Sequence, residues 1–169
     1  PKWVSTHLAS IFPAAEGLEN LRKAVWETFI IWTRPWDNVF EIVNEQYKWA
    51  IDNLDEEALS QSESAANHLA EHLLAFYARQ KIELEEEGLL AHFYASASDR
   101  LAAHVFWFIG RILRDGEVSS EVHQRFVVLI EQRVAHGQEH PTEMNAFGWL
   151  FTVAKFNPEW RLRRLRETL

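Results

Sequence analysis

The segment Leu69-Ala70-Glu71-His72-Leu73-Leu74-Ala75-Phe76-Tyr77-Ala78-Arg79 recurs 32 residues later as Leu101-Ala102-Ala103-His104-Val105-Phe106-Trp107-Phe108-Ile109-Gly110-Arg111. Both copies read Leu-Ala-x-His-x-x-x-Phe-x-small-Arg, and Leu89-Leu90-Ala91-His92-Phe93-Tyr94-Ala95 echoes the first more faintly. Self-similarity at about 30 residues marks stacked helical units, none of which can bury its apolar face alone. The feature constrains architecture and leaves chemistry open.

Helical spacing extends through the rest of the chain. Leu18, Leu21, Val25, Phe29 and Trp32 step by three or four and form one apolar stripe. Pro35 then ends one helix and opens another. That next helix carries Trp36, Val39, Phe40, Val43, Tyr47, Ala50, Ile51 and Leu54. Asp55 is placed to cap a long helix over residues 56–82 that holds the first copy. The acidic run from Glu83 to Glu87 reads as a solvated connector into a short helix, 88–95. Ser98 or Asp99 can cap the second copy, Asp115-Gly116 can stop it, and Ser119 or Ser120 can start the next helix, which Gly137 stops. Pro141 suits the first turn of a helix running to about Lys155, and Asn157-Pro158-Glu159 opens the last. No stretch alternates like a strand.

The second copy is apolar nearly all round, which predicts a helix enclosed at the centre. Ala78 and Gly110 fall at matching positions, where a small residue lets a neighbouring helix approach. The expected fold is an all-α helical-repeat bundle of about seven to nine helices. Its packing would resemble HEAT or tetratricopeptide arrays without matching either consensus. Residues 1–169 read as one α-helical domain, a module or fragment of a longer protein, because the chain opens on Pro1.

The net charge of −8 disfavours phosphate backbones, so nucleic acid is not expected as a partner. Absence of cysteine removes disulfides, thiolate metal sites and a cysteine nucleophile. No apolar run approaches the 18 or so residues that span a bilayer, so no membrane partner is expected and a cytoplasmic location is. Eight tryptophans and eleven phenylalanines suit the broad gaps between packed helices.

The sharpest chemical pattern is His68-Leu69-Ala70-Glu71-His72. Histidines four apart share a helix face and can reach one zinc ion, and the order His-x-x-Glu-His is that of inverzincin metalloproteases. A catalytic zinc also needs a third protein ligand, for which Glu139, His140 and Glu143 are the downstream candidates. The second copy keeps His104 but replaces Glu71 by Ala103 and His68 by Arg100. The repeated element is therefore one histidine, as expected of a ring that packs or hydrogen-bonds between helices. His136, Glu139 and His140 make a looser cluster that reads as helix-end histidines. Arg161, Arg163, Arg164 and Arg166 crowd the C-terminal helix, either as a solvated face or as a docking surface for an acidic partner or nucleic acid. Glycine-rich phosphate loops and a Gly-x-Ser-x-Gly elbow are missing. No metal or cofactor is expected.

From His72-Leu73-Leu74-Ala75-Phe76-Tyr77-Ala78-Arg79 through Phe108-Ile109-Gly110-Arg111, Glu131-Gln132-Arg133, Phe147-Gly148-Trp149 and Ala154-Lys155-Phe156 to Trp160, about 100 residues resemble a known kind of region. It is the helical C-terminal part of large bacterial multidomain proteins, some with a sirtuin-like or NTPase module upstream and several associated with defence against phage. The resemblance implies a helical-repeat module of undefined role, with no catalytic residues to carry over. The leading expectation is a non-catalytic scaffold that binds another protein or an adjoining domain, with Trp3 and Trp160 as exposed anchors. A zinc-dependent hydrolase on His68, Glu71 and His72, and a nucleic-acid-associated module using the C-terminal arginines, are the alternatives.

Overall fold

Helix-starting serines and helix-stopping glycines divide the chain much as their chemistry dictates. In the computed structural model, which describes residues 7–35, 37–56, 64–135 and 140–153 with 159, 160, 162, 163 and 166 beyond them, the regular elements are helical and no strand is present among the described residues. A 3-10 turn at Ala9–Ile11 precedes seven α-helices: α1 Glu19–Trp32, α2 Asp37–Asp52, α3 Ala65–Ala78, α4 Leu89–Ser96, α5 Asp99–Asp115, α6 Ser120–Val134 and α7 Pro141–Val153. The all-helical expectation holds among the described residues, where residues 159, 160, 162, 163 and 166 are helical beyond these seven.

Several boundaries follow from capping. The Ser64 hydroxyl accepts from the Asn67 amide at 3.2 Å and that of Ser119 accepts from the Val122 amide at 3.3 Å, each satisfying a donor the helix itself leaves unpaired. Ser64, and not Asp55, therefore caps the helix holding the first copy; Asp55 instead pairs with Lys23. That helix ends with Gln80 at φ 59° and the Lys81 amide bonded to the Phe76 carbonyl at 2.9 Å, a Schellman closure built without glycine. Gly137 and the expected start at Asn157-Pro158 lie outside the described residues.

The chain forms two compact units, residues 1–101 and 102–169, the division falling in the first turn of α5. In the first unit α3 packs on α1 and α2, while α2, which bends at Val43, also packs on α4. The enclosed helix here is α3, nine of whose residues are buried, from Ala66 to Tyr77. The second copy, expected to be apolar nearly all round, is not enclosed on every side. On α5 a wet edge runs through Arg100, Trp107, Arg111 and Arg114, and Trp107 is 42% exposed.

The second unit is closed by aromatic contacts between α5 and α7. Phe106 meets Phe147 at 5.8 Å between ring centroids, and Trp107 meets Trp149 at 4.1 Å. Gly110 permits this approach: a Cβ there would fall 2.3 Å from the Trp149 ring. The small residue in the repeat thus has the expected steric purpose. Replacing Gly110 by leucine is expected to destabilise the unit by about 1–3 kcal/mol through overpacking. Thermal denaturation checks it, and an unchanged melting temperature would show that Trp149 swings clear at no cost.

Candidate functional site

The two histidines of the His-x-x-Glu-His pattern have different surroundings. His72 is 3% exposed, and both of its ring nitrogens are engaged within the first unit. Nε2 lies 2.9 Å from the Thr33 carbonyl, which accepts only, so Nε2 carries the proton and donates. The bare Nδ1 then accepts from the Tyr47 hydroxyl at 2.8 Å. Burial holds the imidazole well below its usual range, at about 4, against a smaller upward pull from the Thr33 bond. Burial also pushes the Tyr47 phenol upward. The ring is a neutral connector joining α3 to α2 and to the end of α1.

His68 sits one turn away with its Nδ1 3.8 Å from a Glu71 carboxylate oxygen, while its buried Nε2 has no hydrogen-bond partner. For both histidines to share an ion, His72 would have to give up Thr33 or Tyr47. Glu143, a candidate third ligand, receives both guanidinium donors of Arg133 at 2.8 and 2.7 Å. Glu139 and His136 lie outside the described residues, and His140 is half-buried.

The polar residues of the first copy share one task. While His72 donates to the Thr33 carbonyl, Arg79 donates to the Pro35 carbonyl, so the repeat's histidine and arginine together hold the connector between α1 and α2. The second copy differs in burial: His104 and Phe108 are half-buried where His72 and Phe76 are buried, and Arg111 lies over the Phe108 ring at 4.8 Å.

Of the C-terminal candidates, Arg163 and Arg166 are exposed, and Arg161 and Arg164, like Trp3, lie outside the described residues. Trp160 is half-buried, stacked on Phe151 at 5.4 Å and donating its indole N–H to Glu131 at 2.9 Å. It is thus bonded within its own unit while remaining half-exposed.

The exposed aromatic that sequence reasoning placed inward is Trp32, 81% exposed at the end of α1. The stripe read from the sequence divides on folding. Phe29 turns in beside Trp26 and Ile30, while Leu18, Leu21 and Trp32 remain 41%, 53% and 81% exposed with Val25 half-buried between them. Thr28 lies on the same outer face, its hydroxyl donating back to the Ala24 carbonyl at 2.9 Å, which leaves its methyl outermost. The outer residues 18, 21, 25, 28 and 32 step three-four-three-four, the spacing of a seam that receives another helix. It runs for roughly 21 Å at the helical rise, and no charged side chain of α1 falls on that arc.

The opposite flank of α1 differs. There Lys23, Trp26, Glu27, Trp49, Asp55 and Leu69 contribute to a cleft of about 220 Å³. Its lysine is matched by Asp55 at 2.5 Å and Glu27 at 3.9 Å, so the cleft holds its own compensated charges. No helix among the described residues is long and apolar enough to cross a membrane. Comparisons of the chain with protein-family models, with curated proteins and with solved structures find no match.

Proposed function

We propose that this chain is a non-catalytic helical scaffold, a protein-interaction module that receives another protein or an adjoining domain on the outer face of α1. The observation that carries the reading is the uncharged seam Leu18-Leu21-Val25-Trp32, ending on a tryptophan that is 81% exposed. Water-exposed tryptophan is costly to leave uncovered and is over-represented among residues that dominate binding energy. The buried, doubly bonded state of His72 favours a structural use of the histidine pattern.

A photo-reactive phenylalanine analogue placed at position 21 in the host cell tests this. The expected result is one discrete cross-linked product, absent when the same probe occupies position 20 on the charged side of α1. Identical products from both positions, or none from either, would reject α1 as the docking face.

A further inference from the structure

An unpartnered apolar seam does not by itself name its occupant; here the net charge of the unit that bears it does. The first unit carries eight lysines and arginines against seventeen aspartates and glutamates, a net −9, whereas the second carries nine against eight, a net +1. The chain's net negative charge therefore lies wholly in the unit that bears the seam. The seam itself is uncharged, and Glu16 is exposed two residues before Leu18. A partner approaching this face meets an uncharged strip on a unit whose net charge is −9. Such a field attracts cations over a distance and repels a second acidic unit.

We propose, resting on the scaffold reading above, that the occupant of the α1 face is a basic amphipathic helix. Its leucine-type residues at three-four spacing would lie along Leu18, Leu21, Val25 and Trp32, with lysines or arginines on its flanks. The seam spacing selects a helix, because knobs recurring at 3.5 residues fit the holes of another helix and not those of an extended strand. The charge selects its sign. A second copy is disfavoured, because it brings a second −9 unit.

The test uses the full chain and two fluorescently labelled 18-residue helical peptides with the same leucine seam, one flanked by lysine and the other by glutamate. Anisotropy titration at low salt is expected to show the lysine peptide binding at least tenfold more tightly. Its affinity should fall as salt rises, and fall at least tenfold in the Leu21→Ala/Trp32→Ala variant. Both side chains are substantially exposed, so that variant should keep its helical circular dichroism. Equal binding of the two peptides would overturn the charge assignment. Binding of the lysine peptide that ignores the double variant would mean diffuse attraction and overturn the seam. Concentration-dependent dimerisation lost in that variant would assign the face to a second copy. If position 21 still yields one discrete adduct in cells while the peptides show no preference, the scaffold reading stands and the basic helix falls. If both experiments fail, both fall.

Discussion

Replacing Glu143 by alanine is expected to destabilise residues 102–169 by about 3–5 kcal/mol, the largest effect of any single substitution proposed for this chain. Glu143 is 0% exposed and Arg133 8%, and they meet through two parallel hydrogen bonds. Removing the carboxylate strands a guanidinium that cannot shed its proton and has little water to turn to. Against a typical domain stability of about 5–15 kcal/mol, that loss can unfold the unit at ambient temperature. The pair itself adds little, because bringing two charges out of water costs about as much as their attraction returns. The double variant Arg133→Met/Glu143→Leu should accordingly retain near-native stability. Urea denaturation followed by circular dichroism separates the two; a loss below 1 kcal/mol for Glu143→Ala would show that Arg133 finds solvent by a small rearrangement.

Acid should weaken the first unit through His72. Its folded-state pKa of about 4 lies below the ordinary value of 6.5, so the unfolded chain takes up the proton more readily. The stabilisation is complete above pH 6.5. It is lost as pH falls towards 4, at up to about 1.4 kcal/mol per pH unit and roughly 3 kcal/mol in all. Burial is the main cause; His68 and Arg79 push the same way, and Glu71 and the Thr33 bond oppose them. Glutamine at position 72 has an amide to donate to Thr33 and an oxygen to accept from Tyr47, but does not titrate. His72→Gln should therefore lose less stability than wild type between pH 6.5 and 4. Parallel slopes over that interval would falsify the neutral, buried assignment of the ring.

What was legible in the sequence was local. Ser119, Gly116 and Pro141 mark boundaries because their chemistry acts within one turn, and Gly110 announced a close contact because nothing larger fits there. The direction of burial was not legible on α1. Leu21 and Trp32 are as apolar as Phe29, yet the core faces Trp26 and Ile30, roughly a quarter-turn from the stripe drawn through them. Periodicity shows that a helix has an apolar side, and tertiary packing chooses which part of it to use. The Arg133–Glu143 pair escaped for a related reason: charged residues read as wet by default, and only the fold shows the two buried together. The repeat misled more subtly, since its two copies share residue types but not burial: His72 and Phe76 are buried where His104 and Phe108 are half-buried.

The clamp that His72 and Arg79 place on the connector after α1 bears on how Trp32 is presented. Thr33 is held from within by His72 of α3, and Pro35 is held at the surface by Arg79 at the end of that helix, one and three residues beyond the exposed indole. The backbone that carries Trp32 is thus already ordered before any encounter. Preorganisation of this kind confines the entropic cost of association to the indole rotamer and to the incoming helix. Loosening the connector at either carbonyl should therefore weaken binding at a surface that neither His72 nor Arg79 touches, through a faster dissociation rate and not a slower approach.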